Sequence, residues 1–195
     1  MNKKKNEILL DAIDNNDGYI SVQEAKEIGI ERTYLFSLEE DGYLRKVARG
    51  LYLKKGIEPD PYYLLHFIYK KAVFSLGSSA FLHGLIKEDP VLSVNLPPNY
   101  MTAGIAGANA RHVGDKEYNL GLSLAVSPRG TLVPCYDLER TIIDLLRYRS
   151  LYPDDVWNEA LRIAFSKKPY EQKLRDYAYS FHYQDTLEVV QKIFA

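Results

Sequence analysis

Arg32, Thr33, Tyr34 and Ser37 fall within six residues of one another. An arginine guanidinium forks onto the O6 and N7 of guanine. Threonine, tyrosine and serine hydroxyls donate to phosphate oxygens or bond to base edges. Such a set on one helix suits contact with a duplex. Further along, Arg45, Lys46, Arg49, Lys54 and Lys55 place five positive charges in eleven residues, with no acid among them. Lys3, Lys4 and Lys5 add a basic arm. Residues 1–56 hold ten Lys and Arg against ten Asp and Glu. The segment is therefore neutral as a whole, and its positive charge is gathered at the arm and at 45–55, where it can track a phosphate backbone.

The other candidate chemistry is weaker. Asp137, Glu139 and Asp144 could serve as metal-binding carboxylates of a DNA-targeted nuclease or nucleotidyltransferase. On an ideal helix, at about 100° per residue, Glu139 and Asp144 point about 140° apart. Arg140 and Asp144, by contrast, sit one turn apart on one face, so the preferred reading is a structural ion pair. His66, His83, His112 and His182 are scattered, without metal-ligand spacing. Cys135, the single cysteine, lies in an apolar run and reads as a small buried hydrophobe. With one cysteine, neither an internal disulfide nor a cysteine-rich zinc site can form. The run 104–110 is glycine-rich but lacks the lysine of a phosphate-binding loop, and reads as a mobile loop. Of the sixteen tyrosines, those beyond Pro61 read as core edges, where bulk is buried and a hydroxyl kept within reach of a partner. No cofactor or metal is expected, and the preferred reading is a non-enzyme. A third reading is an adaptor whose helical C-terminus binds a partner chain directly.

Composition limits the class. Lys and Arg total 25 and Asp and Glu 26, a net charge of −1, which excludes a wholly basic nucleic-acid coat. Apolar residues at 46% and charged residues at 26% exclude long disorder and coiled coil. The basic start has no apolar stretch behind it, and Asp11, Asp14 and Asp17 follow too soon for a signal peptide. No apolar run reaches the ~18 residues of a membrane span. The expected compartment is the cytoplasm.

The elements that must position these residues can be read from period and punctuation. A length of 195 residues allows one large or two small domains. Lys54 to Pro61, with two lysines, a glycine and two prolines, reads as a linker. It divides residues 1–56 from 57–195. In the first part, Ile8, Leu9, Ala12 and Ile13 stripe a helix, which Asn15-Asn16-Asp17-Gly18 stops. Tyr19-Ile20 is extended. Ser21 and Glu24 form a capping box for a helix that buries Val22, Ala25 and Ile28 and ends at Gly29. After a turn of about three residues a second helix runs from 31 to 41. Leu35 and Leu38 face inward, and Thr33, Phe36, Ser37 and Glu40 outward. Residues 43–47 and 51–54 read as a hairpin about Gly50. The order of elements is that of a winged helix-turn-helix. The second part reads as a larger mixed α+β domain. A helix is expected from Pro61 to Lys71 and a short one at 78–84. Strands are expected at 91–96, twice within 111–125 with a turn near 119–121, and at an edge at 132–136. Helices then follow at about 138–149, 154–166, 170–182 and 185–194.

Three stretches in this order resemble the AbiEi-type antitoxins of bacterial abortive-infection (AbiE) systems, which act in phage defence. They are G-Y-I-S through R-G-L-Y at 18–52, S-S-A-F-L-H-G-L at 78–85 and D-L-E-R-T-I-I-D-L-L at 137–146. The resemblance implies a type IV toxin–antitoxin system. Its antitoxin counters a nucleotidyltransferase-like toxin encoded beside it, without a stable complex. The winged helix represses the shared operon by binding inverted repeats in promoter DNA, and the C-terminal domain carries the antitoxin activity. Arg32, Thr33, Tyr34, Ser37, Arg45, Lys46 and Arg49 match the family's DNA-binding positions.

Overall fold

The computed structural model describes residues 3–88, 91–102, 104–105 and 107–194. The chain forms two compact units, Met1–Ile68 with Arg129–Thr131, and Tyr69–Pro128 with Leu132–Ala195.

The first unit is the winged helix-turn-helix. Helix α1 (Lys3–Asp14) buries Leu9 and Ile13 completely. Asp17 and Gly18 then turn the chain through the left-handed region, at φ 50° and 86°. Strand β1 (Tyr19–Ser21) leads into α2 (Val22–Glu27) through the expected capping box. The Glu24 amide donates to Ser21 Oγ at 3.1 Å, and the Ser21 amide donates to Glu24 Oε2 at 2.7 Å. Gly29, at φ 76°, ends the helix, and the Ile30 amide closes back onto the Ala25 carbonyl at 2.8 Å. Helix α3 (Arg32–Glu40) follows, then the hairpin of β2 (Leu44–Ala48) and β3 (Leu51–Lys54). The three strands form an antiparallel sheet in the order β1-β3-β2. One face of this sheet, with Leu44 and Tyr52, joins Leu9, Ile13, Ile20, Ala25, Ile30 and Leu35 in a core under the three helices.

The other face carries Tyr19, Leu51 and Leu53, and α4 (Pro61–Ile68) packs Tyr63, Leu64 and Phe67 against it. This packing explains why the units divide at Ile68/Tyr69, one helix beyond the proline-rich stretch at 54–61. The apolar surface of a helix just after the linker composition belongs to the sheet before it. Asp60 holds the entry to α4: its amide donates to the Tyr19 hydroxyl at 2.7 Å, and its Oδ1 accepts from the Tyr62 amide at 2.9 Å.

The second unit is α+β. Its elements are β4 (Val73–Phe74), α5 (Leu76–Leu82), β5 (Leu92–Leu96), β6 (Ala108–His112), α6 (Asp115–Asn119), β7 (Leu122–Val126), β8 (Leu132–Tyr136), α7 (Leu138–Arg147), α8 (Asp154–Ser166), α9 (Glu171–Phe181) and α10 (Gln184–Phe194). The strands form a mixed sheet in the order β6-β5-β4-β8-β7. Helix α7 is central, with every residue from Glu139 to Leu146 buried.

Three local expectations need correction. The two strands expected within 111–125 are β6 and β7, with a turn at 120–121, but the short helix α6 stands between them. The run 104–110 is not all loop, since Ala108–Ala110 opens β6; Ala106 lies outside the described residues. Strand β8 is not at an edge despite Pro134, but lies between β4 and β7. Its partner β4 is two residues long and pairs with it only at Phe74↔Cys135, so the ladder on that side asks nothing of Pro134.

Candidate nucleic-acid interface

Helix α3 presents a narrow exposed arc. Leu35 is fully buried, while Arg32, Thr33, Phe36 and Glu40 are exposed. Its N-cap residue, Glu31, makes no side-chain cap, and the Tyr34 amide donates to the Glu31 carbonyl at 2.9 Å. Tyr34 and Ser37 are half-buried. The Tyr34 hydroxyl donates to Asn6 Oδ1 on α1 at 3.0 Å, and Ser37 Oγ donates to the Tyr34 carbonyl at 2.9 Å. Of the four α3 positions expected at a duplex, two project freely and two spend their hydroxyls inside the unit. Spacing alone could not separate Thr33 from Tyr34, because Asn6, the partner of Tyr34, lies 28 residues away in sequence.

Residues of β2 alternate between the two faces of the sheet. Lys46, opposite Tyr52, shares the face on which α3 packs; Arg45, opposite Leu53, lies on the α4 face. Arg45 is engaged there. Its guanidinium donates to the Ile57 carbonyl and pairs with Glu58 at 3.8 Å. Lys54 pairs with Asp14 at 2.7 Å, and this bond holds the ammonium above the usual lysine range. Lys46 and Arg49 are exposed and make no ion pair among the described residues. A bulge between Lys46 and Ala48 twists the hairpin end that carries both, and Gly50, at φ 78°, turns it. The free cations of the hairpin are therefore fewer than its composition suggests. The side chains of Lys3, Lys4 and Lys5 lie outside the described residues.

Residues 7–53 match the family model described as "Transcriptional regulator, AbiEi antitoxin". That stretch is similar to the AbiEi-type regulators. It spans α1 to β3 and so contains both α3 and the hairpin. The chain is also similar in fold to the RV2827C protein of Mycobacterium tuberculosis, with a TM-score of 0.59 over 90% of this chain and 71% of that one. Identity is 13%, so the likeness is one of fold alone. No curated protein matches the sequence. No helix among the described residues is long and apolar enough to cross a membrane.

Beyond the AbiEi-type stretch, the carboxylates of α7 are committed to protein donors. Asp137 caps the helix, its Oδ1 accepting from the Arg140 amide at 2.8 Å. Its Oδ2 accepts from the Tyr177 hydroxyl at 3.0 Å and pairs with Lys173 at 2.8 Å. Glu139 accepts from the Tyr170 amide at 2.8 Å. Asp144 holds Arg140 at 3.1 Å and Arg147 at 2.9 Å. Burial pushes the Asp144 carboxyl up, and the two guanidiniums pull against it. No group of three His, Cys, Asp or Glu able to hold a metal occurs among the described residues.

Proposed function

We propose that this chain is a type IV antitoxin that represses its own operon by binding inverted repeats in promoter DNA. The observation that carries the reading is the exposed first turn of α3, with Arg32 and Thr33 on the surface, together with the exposed hairpin cations Lys46 and Arg49, which make no ion pair among the described residues. The first turn of α3 enters the major groove, where Arg32 forks onto guanine and Thr33 meets a base edge or phosphate. Lys46, Arg49 and the lysines at the start of α1, Lys3, Lys4 and Lys5, neutralise phosphates. Arg45, Tyr34 and Ser37 support this surface from behind. The acidic end of the helix, Glu39 to Asp41, restricts base contact to its beginning. Two protomers on an inverted repeat place their helices about 34–36 Å apart or a multiple of it.

DNA binding belongs to residues 1–56, whose sheet α4 covers, and the antitoxin function to the second unit beyond Ile68. The partner of the second function is a nucleotidyltransferase-like toxin encoded alongside, countered in the cytoplasm without a stable complex.

A titration of the full chain against duplex from upstream of its own gene tests the first function, with footprinting of the bound region. Protection of two inverted half-sites is the expected result. Equal affinity for that duplex and for unrelated sequence would overturn the autorepressor reading. Co-expression with the neighbouring gene product tests the second. Growth rescued without co-purification is expected, and co-purification of a stable pair would overturn type IV action.

A further inference from the structure

Phe36 is 43% exposed, whereas Leu35, its neighbour on α3, is fully buried. Its position on the helix gives that exposure meaning. Taking Arg32 as zero, at about 100° per residue, Phe36 falls near 40°, Glu40 near 80° and Thr33 near 100°. Leu35 and Leu38 fall on the opposite side, near 300° and 240°. A large aromatic ring therefore occupies the middle of the exposed arc, between the two side chains best placed for base contact. The Arg32 guanidinium lies over that ring, 5.6 Å from its centroid. This contact gives ring and cation a common orientation on one turn of helix.

We infer that Phe36 is a specificity-determining residue, reading the 5-methyl group of a thymine next to, or one step beyond, the guanine that Arg32 contacts. The inference rests on the DNA-binding reading above and adds to it the base that the site selects. The major groove offers one apolar feature, the thymine methyl, and phenylalanine is a side chain that can meet it. Four residues of helix advance about 6 Å, against about 3.4 Å per base step, so the two side chains reach bases one or two steps apart. Glu40, the next exposed residue on the arc, is repelled by phosphate and confines the readout to this turn.

Uracil differs from thymine only by that methyl group, which makes it the probe. Full-length protein is first used to select duplexes from a random-sequence library. Each thymine of the selected half-site is then replaced singly by uracil, and affinity is measured for wild type, Phe36→Ala and Phe36→Leu. The expected result is one position at which uracil weakens wild-type binding about three- to fivefold, the scale of one buried methyl. That ratio should collapse to about one in Phe36→Ala and persist in Phe36→Leu, which keeps apolar bulk. Because Phe36 is exposed, thermal melts of both variants should match wild type, and each ratio is internal to one variant. Indifference to uracil at every thymine, or an undiminished ratio in Phe36→Ala, would overturn the inference while leaving DNA binding intact. Failure of wild type to enrich any duplex would overturn the DNA-binding reading itself, and the inference with it.

Discussion

The Tyr34 hydroxyl donates to Asn6 Oδ1 at 3.0 Å, tying helix α3 to α1 across 28 residues of sequence. The bond acts with the fully buried Leu35 to hold α3 against the rest of the unit. Removing the hydroxyl in Tyr34→Phe should cost about 0.5–1.5 kcal/mol of stability, read from urea unfolding. The salt dependence of duplex binding should be unchanged, because a bond made within the protein releases no counterion. A shallower salt slope in Tyr34→Phe would show that the hydroxyl meets phosphate.

Arg45 and Lys46 are neighbours on opposite faces of β2, and they should behave differently. Lys46→Ala with Arg49→Ala should lower the slope of log K against log salt by about 1.8, at about 0.9 per phosphate contact. Affinity should fall for every sequence alike. Arg45→Ala should leave the slope unchanged and lower stability, since its guanidinium supports the Ile57 carbonyl and pairs with Glu58. Binding isotherms over a range of salt, with a thermal melt of each variant, separate the two outcomes.

The first unit was legible because its signals are local. The capping box at Ser21 and Glu24, the stop at Gly29 and the turn at Gly50 each act within a few residues, and all three stand where sequence puts them. The partners of Tyr34 and Arg45 were not legible, because Asn6 and Glu58 approach them only through the tertiary fold. In the second unit, α6 escaped notice because Asp115–Asn119 is short and buries no residue, so it leaves no periodic stripe. Gly121 is a related case. At φ 83° it reads as a turn residue, and it is one, but a Cβ there would also stand 2.7 Å from Arg140 Cβ. Only the folded arrangement reveals that second reason for glycine.

Arg140 is fully buried, and most of its guanidinium is hydrogen-bonded, while Nη2 makes no hydrogen bond and lies 3.6 Å from Glu117 Oε1. Nε donates to Asp144, one NH2 group donates to the carbonyls of Glu117 and Leu120 at 2.7 and 2.8 Å, and the guanidinium stacks near the rings of Tyr136 and Phe181. Asp144→Ala leaves Arg140 and Arg147 sharing only the Glu117 carboxylate, 3.6 and 3.1 Å away. The expected loss is about 3–5 kcal/mol, the cost of breaking a buried pair from one side. Thermal or urea unfolding measures it. A metal-dependent activity lost in Asp144→Ala with no fall in stability would return this carboxylate to the catalytic reading.

Cys135 is buried in β8, and burial pushes its thiol up to about 12. The thiolate is the reactive form, so a thiol reagent near neutral pH should modify the native protein only as fast as it opens. Full reaction should follow at once in denaturant. The same shift sets a dependence on alkali. The folded state holds this proton more tightly than the unfolded chain does. Its contribution is therefore intact below the ordinary thiol range near 9 and is lost as pH rises towards about 12. Tyr136, pushed up to about 12 by burial, adds a loss of the same sign beginning near 10. Each group should lower stability by up to about 1.4 kcal/mol per pH unit within its window. Urea midpoints measured from pH 8 upward should fall in that order, and Cys135→Ala should remove the earlier phase and keep the later one. Rapid modification of the native thiol near neutral pH would show instead that β8 opens far more readily than its place inside the sheet implies.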